Sequence, residues 1–327
     1  MKVFVYNYRR FDEEEFFLEY SAKFGIELGW TEDPPTIDNC DLAAGSDFIS
    51  IITTPITAEM IDRFKEIGVK MISTRTIGYD HIDLAHAKKV GMIVSHITYD
   101  PAGVAEYTVM GMLMSVRKIK SIMRSFSEQD FTLDGQMAGE LGRMTVGIIG
   151  LGRIGRTVIR DLSGFGCKVL CWNHDPNRDP GYGAEMTDLD TLLKESDIIS
   201  LHLELNPETR HFLNADSFSK MKDGVIIVNT ARGPLIDTDA LISALDSGKV
   251  GHAFLDVIED EFGLYYNDCR GMDLSGRCIS RLRDRSDVTV THHMAFYYRT
   301  AVSDMVYNSL LGMKMFSEGK EVPMRIA

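Results

Sequence analysis

Thr145-Val146-Gly147-Ile148-Ile149-Gly150-Leu151-Gly152-Arg153-Ile154-Gly155-Arg156 is the stretch whose reading decides the fold of this 327-residue chain. The apolar run Val146–Ile149 enters three spaced glycines, and apolar residues then recur at helical spacing through Val158, Ile159 and Leu162. Strand, turn and helix start is the context in which G-x-G-x-x-G carries meaning. Gly150 makes the tight turn, Gly152 lets a pyrophosphate approach the backbone, and Gly155 lets helix and strand pack closely. Phosphates then sit on the unpaired N–H groups of the helix start, formed here by Arg153 and Ile154. The stretch predicts a dinucleotide-binding fold.

Length and composition fit that reading. The chain is long enough for about two domains, with 44% apolar and 25% charged residues. A net charge of −13 argues against nucleic acid or an anionic membrane surface as the main partner. A local arginine can still reverse the field for a small anion. The cysteines Cys40, Cys167, Cys171, Cys269 and Cys278 form no C-x-x-C pair and no zinc framework, so no metal is expected. Met1-Lys2-Val3-Phe4-Val5-Tyr6 reads as a first strand rather than a signal peptide. No run approaches the ~18 apolar residues of a membrane span. The expectation is a cytoplasmic protein.

Apolar, β-branched runs recur at 2–6, 47–52, 70–74, 92–95, 145–149, 168–172, 197–202, 224–229, 251–256 and 288–291, mostly separated by segments of helical periodicity. That alternation predicts βαβ units and parallel sheets. Because the glycine fingerprint sits near the middle, the first hundred residues must form something else, and four strand-like runs suffice for a smaller α/β domain. Asp100-Pro101 opens a long helical pattern through Val116, with Asp100 as its expected N-cap. Residues Thr300–Ser317 read as a helix that returns to the first domain. The expected fold is α/β with two Rossmann-like domains. A doubly wound, parallel-sheet cofactor domain, 100–295, is inserted into a smaller flavodoxin-like substrate domain, 1–99 plus 296–327. The cleft between them is the default active site.

Titratable groups stand at strand ends after the fingerprint. Arg232 follows Val225–Ala231, Asp256 ends Ala253-Phe254-Leu255 with Glu261 five residues on, and His292-His293 follows Val288–Thr291. Ligands of open parallel sheets bind beyond the carboxyl ends of the strands. A guanidinium there binds a substrate carboxylate bidentately and polarises a keto oxygen. An imidazolium protonates that oxygen as hydride arrives, and a neighbouring carboxylate keeps the imidazole protonated and oriented. Singly, each has a bland reading as a surface charge or core histidine. Together, beside a dinucleotide loop, they suit reduction of a 2-keto acid.

At this point the chain resembles the D-isomer-specific 2-hydroxyacid dehydrogenase family. The matching blocks run Ser73-Thr74-Arg75-Thr76-Ile77-Gly78-Tyr79-Asp80-His81-Ile82-Asp83, Tyr99-Asp100-Pro101 through Ala105-Glu106, the glycine loop, Val228-Asn229-Thr230-Ala231-Arg232-Gly233-Pro234-Leu235-Ile236-Asp237 and Leu255-Asp256-Val257. His293-Met294-Ala295-Phe296-Tyr297 and the aromatic loop Phe262–Cys269 are similar to the D-lactate dehydrogenase branch, and in particular to vancomycin-resistance-type D-lactate dehydrogenases. Formate dehydrogenases carry Gln where Glu261 stands. The resemblance implies that Arg232, Glu261 and His293 are catalytic. It implies cofactor contacts from Gly150, Gly152, Arg153, Ile154, Gly155, Asn173, His174, His202, Thr230, Ala231 and Asp256, the last also as a supporting carboxylate. Substrate contacts are expected from Arg232, from the backbone at Ile77 and Gly78, and from Tyr99 and Phe296. Tyr6, Arg9 and Tyr297 stand as further candidates for the side-chain pocket. For Tyr6 and Phe296, pocket wall and interdomain core are both open readings. The expected cofactor is NAD(P)H, the expected partners a small 2-keto or 2-hydroxy acid and a second copy of the chain.

The chain departs from the family pattern at His292 and Glu204, where proline is usual, and at Asn173, where NAD-specific members place a carboxylate for the ribose hydroxyls. Asn173 does not repel a 2′-phosphate. His174 and Arg178 would favour NADPH and Asp175 would oppose it, so NAD against NADP is open. The substrate is open between lactate and a bulkier aliphatic or aromatic 2-hydroxy acid. A second function class is a dinucleotide-sensing interaction protein like the corepressors of this fold. The absence of a docking groove and the loop after Glu261 favour the enzyme.

Overall fold

The computed structural model describes residues 1–327. The chain divides into two compact units, Met1–Asp100 with Tyr297–Ala327, and Pro101–Phe296.

In the first unit β1 (Lys2–Val5), β2 (Glu27–Trp30), β3 (Phe48–Ile51), β4 (Met71–Thr74) and β5 (Ile93–Ser95) form one sheet. Its order is β2-β1-β3-β4-β5 and every pairing is parallel. This is the flavodoxin-like order, with its switch point between β1 and β3. Apolar side chains fill both faces, as buried parallel strands require: Tyr6, Ile49, Ile51 and Phe64 on one, Val3, Val5, Phe17 and Phe48 on the other. The helix Arg299–Ser317 covers the second face with Val302, Val306, Leu310 and Met313. Strand β2 escapes the sequence reading because it is an edge strand of four residues, none of them buried.

The second unit holds β6 (Thr145–Ile149), β7 (Lys168–Trp172), β8 (Glu185–Met186), β9 (Ile198–Leu201), β10 (Val225–Asn229), β11 (Val250–Leu255) and β12 (Val288–Val290). They form a parallel sheet in the order β12-β11-β10-β9-β6-β7-β8. The order reverses at β6, which makes this sheet doubly wound. Strand β8, at the far edge, is two residues long and too short to leave a periodic signal. The predicted long helix spans Ala102–Val116, but Asp100 is not its N-cap. Pro101 holds that position at φ −73° with no side-chain cap. Proline's fixed φ and missing N–H suit a helix start, and they push the first helical residue one beyond the expected place. The Asp100 carbonyl instead accepts the Tyr298 hydroxyl at 2.6 Å. No helix is long and apolar enough to cross a membrane.

Candidate active site

The glycine loop begins where β6 ends, at the switch point. Gly150 lies at φ +101°, and a Cβ on it would stand 2.4 Å from the His202 carbonyl oxygen. A Cβ on Gly155 would stand 2.1 Å from the Gly150 oxygen, whereas one on Gly152 meets nothing within 4 Å. Two glycines thus close the turn against neighbouring backbone, and the third leaves its approach clear. Gly152 caps the helix Arg153–Leu162 with no side-chain partner, so the first N–H groups of that helix are left for a ligand. These residues fit a dinucleotide pyrophosphate.

One side chain braces the loop. Asn173, just past β7, accepts from Leu151 N–H at 3.0 Å and donates to the Asp175 carbonyl at 3.2 Å. His174 and Arg178, on the turn beyond, are exposed. His202, just past β9, is bonded through Nε2 to Ser200 Oγ at 2.9 Å. Burial drives its imidazole down to about 4, so it stands neutral at pH 7.

Because all strands run the same way, the remaining groups line the same carboxyl edge. Taken across the sheet they are His293 after β12, Asp256 after β11, Arg232 after β10, His202 after β9, the glycine loop after β6 and Asn173 after β7. From β6 to β12 there are four strand spacings, about 19 Å.

Arg232 leaves β10 on a turn shaped by a side chain. Asn229 accepts from Ala231 N–H at 3.0 Å and donates to the Arg232 carbonyl at 2.8 Å. Arg232 Nη1 reaches the Ala231 carbonyl at 2.7 Å. Thr230 shares a hydroxyl bond of 2.8 Å with Thr108. Asn229 is a functional residue the sequence reading missed; its signal was an amide at the strand end, two residues before a turn N–H that needs an acceptor.

Asp256 is fully buried. Its carboxylate accepts from Thr291 Oγ at 2.6 Å, Met294 N–H at 2.8 Å and Ala295 N–H at 2.9 Å, and its carbonyl accepts from His293 N–H at 2.7 Å. Expected as a supporting carboxylate and among the cofactor contacts, it holds the segment that carries the histidines. A buried carboxylate needs such donors, and here they come from one loop.

That loop separates the two histidines. His293 Nδ1 lies 2.8 Å from Glu261 Oε1, while Glu261 Oε2 accepts from Ile258 N–H at 3.2 Å. His292 is exposed, and its ring meets the edge of Tyr265 at 6.4 Å. The Tyr265 hydroxyl is buried without a partner, and burial, with Glu261 and Asp256 nearby, pushes it above the usual phenol range. Phe296 stands edge-on to the His293 ring at 6.0 Å. Tyr266, also missed in sequence, donates its hydroxyl to the His293 carbonyl at 3.0 Å.

The other candidates lie in the first unit. Ile77 and Gly78 follow β4, in a turn where Thr76 Oγ donates to the Gly78 carbonyl at 2.6 Å. Beneath it Arg75 is fully buried, paired with Glu13 at 3.1 Å and bonded to Ser50 Oγ and the carbonyls of Tyr6 and Asn7. Tyr6 resolves as core: it is fully buried, and its hydroxyl donates to the Asn39 and Cys40 carbonyls. Arg9 pairs with Asp12 and Glu13, Tyr99 is buried against Tyr298, and Tyr297 is exposed.

Comparison with known proteins agrees with this geometry. Residues 109–295 match the family model described as D-isomer specific 2-hydroxyacid dehydrogenase, NAD binding domain. The chain is 38% identical over 311 residues to a D-specific alpha-keto acid dehydrogenase of Enterococcus faecium, covering 95% of each chain. It is 38% identical over 322 residues to a D-lactate dehydrogenase of Lactiplantibacillus plantarum, covering 97% of each. The crystal structure of a Treponema pallidum D-lactate dehydrogenase superposes with a TM-score of 0.88 at 31% identity, covering 100% of both chains.

Proposed function

The chain belongs to the D-isomer specific 2-hydroxyacid dehydrogenase family and interconverts 2-keto acids and D-2-hydroxy acids with a nicotinamide cofactor, and we propose that Arg232, Glu261 and His293 carry its chemistry on a small, lactate-type substrate. The observation that carries this is the 2.8 Å contact between Glu261 and His293 Nδ1, at the same sheet edge as the glycine loop. An ionised carboxylate only accepts, so Nδ1 keeps its hydrogen and Nε2 is the nitrogen left to exchange a proton.

The glycine loop and the start of helix Arg153–Leu162 would hold the nicotinamide dinucleotide, which would supply the hydride. In the reducing direction the Arg232 guanidinium pairs with the substrate carboxylate and draws charge onto the keto oxygen. As the keto carbon receives hydride, Nε2 of protonated His293 gives its proton to that oxygen, forming the hydroxyl. His293 is left neutral, still bonded through Nδ1–H to Glu261. Asp256 acts through His293 by fixing its backbone. Ile77, Gly78, Tyr99 and Phe296 are kept as substrate contacts on the resemblance alone.

The test is the loss of absorbance at 340 nm across a panel of 2-keto acids, from pyruvate to branched and aromatic ones, with NADH and with NADPH. Pyruvate among the best substrates supports the lactate-type assignment. Preference for the bulky acids would move it to a different D-2-hydroxy acid, and no turnover with any would favour the sensing alternative.

The partner we propose is a second copy of the chain. The helix Ile119–Ser127 buries none of its residues, and Met123, Phe126, Phe131, Leu133 and Met137 are all more than 60% exposed. Apolar exposure on this scale marks an interaction surface. Light scattering at a dimer mass, lowered by Phe126→Glu, would bear it out. A cytoplasmic location is part of the same proposal.

A further inference from the structure

Building on the reading of His293 as the proton donor, we propose that Tyr266 is a positioning residue for the reaction and acts through His293. His293 lies at φ +58°, the left-handed region that side chains other than glycine seldom occupy. It stays there because both peptide planes around its Cα are tied. Its N–H is held by the Asp256 carbonyl at 2.7 Å, which fixes the plane before it. The plane after it is held from both ends: its carbonyl by the Tyr266 hydroxyl at 3.0 Å, and the Met294 N–H of the same peptide by the Asp256 carboxylate at 2.8 Å. Glu261 then sets the ring through Nδ1 at 2.8 Å. Remove the tie on the carbonyl and that plane is pinned only at the Met294 N–H, so it can tilt about that point and turn the imidazole with it.

One short loop supplies two of these four ties. The N–H groups of Leu264 and Tyr265 both bond to the Glu261 carbonyl, and this turn throws Tyr266, itself at φ +67°, back over the histidine. The Tyr266 ring then lies 6.4 Å from the imidazole and 6.4 Å from Phe296, which stands edge-on to both. Tyr266 is 48% exposed, so its hydroxyl contributes little to folding. What it fixes is the direction of Nε2.

The experiment is a double-mutant cycle of Tyr266→Phe and His293→Gln, assayed with the best keto acid and cofactor of the panel. Tyr266→Phe keeps the ring and removes one neutral hydrogen bond, so kcat falls about five- to tenfold. KM, the dissociation constant for NADH and the urea midpoint each stay within about twofold or experimental error. In the His293→Gln background the same change has no further effect on the residual rate. An unchanged kcat overturns the proposal, as does an equal drop in both backgrounds, which would mean that the hydroxyl acts without His293. A rise in KM with kcat preserved also overturns it, placing Tyr266 against the substrate instead. Normal turnover by His293→Gln alone would refute the assignment of His293 itself, a result distinct from all of these.

Discussion

Replacing Asn173 by Asp tests how the glycine loop chooses its cofactor. In the structure the Asn173 carboxamide is a brace: Oδ1 accepts from Leu151 N–H at 3.0 Å and Nδ2 donates to the Asp175 carbonyl at 3.2 Å. Aspartate keeps the first bond, so the loop holds its shape. It loses the second and sets an oxygen against a carbonyl, costing about 1 kcal/mol of stability. It also brings a full negative charge to the end of β7, where the ribose of a dinucleotide is bound in folds of this kind. Two unit charges about 6 Å apart repel by about 3 kcal/mol at an effective dielectric of 20, and by about half that where water screens them. The expected outcome is a fall of about ten- to a hundredfold in kcat/KM for NADPH, with NADH changed by less than about threefold. The wild type, with a neutral side chain here, is expected to use both. The assay is the ratio of kcat/KM for the two cofactors in wild type, Asn173→Asp and Asn173→Ala, where the alanine variant loses the brace without adding charge and weakens both cofactors alike. Strict NADH use by the wild type, with a ratio the aspartate leaves alone, would refute the reasoning and shift the discrimination to Asp175 or the loop backbone.

His293→Ala should remove most turnover, about a thousandfold, with NADH affinity by fluorescence titration preserved, while His292→Ala, a change at an exposed ring facing Tyr265, leaves turnover within about twofold; the reverse pattern would mean that the wrong histidine of the pair is assigned. Arg232→Lys keeps the charge and loses the planar fork, so KM for the keto acid rises and kcat falls together, and unchanged kinetics with pyruvate would count against a carboxylate clamp. For His202 the neutral form is the native one, since burial lowers its imidazole from about 6.5 to about 4. Above pH 6.5 the group contributes no pH dependence; below it the unfolded chain takes up a proton that the native one refuses, so stability falls until pH 4 is reached. The residue keeps some exposed surface, which limits the loss at pH 5 to about 1–2 kcal/mol. Urea midpoints at pH 7 and pH 5 should converge in His202→Gln, and an undiminished gap in that variant would locate the dependence elsewhere.

What the sequence made legible follows from where the physical constraint is written. Gly150, Gly152 and Gly155 carry theirs in the residue itself, a missing Cβ, and the structure uses the absence at Gly150 and Gly155 as expected. Arg232, Glu261 and His293 could be grouped in advance because a parallel sheet sends every strand's carboxyl end to one edge. What was not legible depends on partners far along the chain. Tyr266 matters through a carbonyl 27 residues away. The brace that Asn173 gives Leu151, 22 residues back, is equally invisible. Asp256 reads as a supporting carboxylate, but the sequence does not show which donors it supports, the three from 291–295 that converge on it.

Arg75 and Glu13 carry that logic furthest. By composition both belong at the surface, and each alone would be costly to bury. They are 62 residues apart and fully buried, and the guanidinium uses its remaining donors on Ser50 and on the carbonyls of Tyr6 and Asn7. The pair therefore ties the ends of β1, β3 and β4 together under the turn at Ile77 and Gly78. A pair of this kind adds little net stability over apolar side chains of the same volume, but breaking one half leaves a buried charge and costs several kcal/mol. Its value lies in fixing one arrangement of three strand ends. No local pattern can announce that, because the requirement exists only once the strands have been brought together.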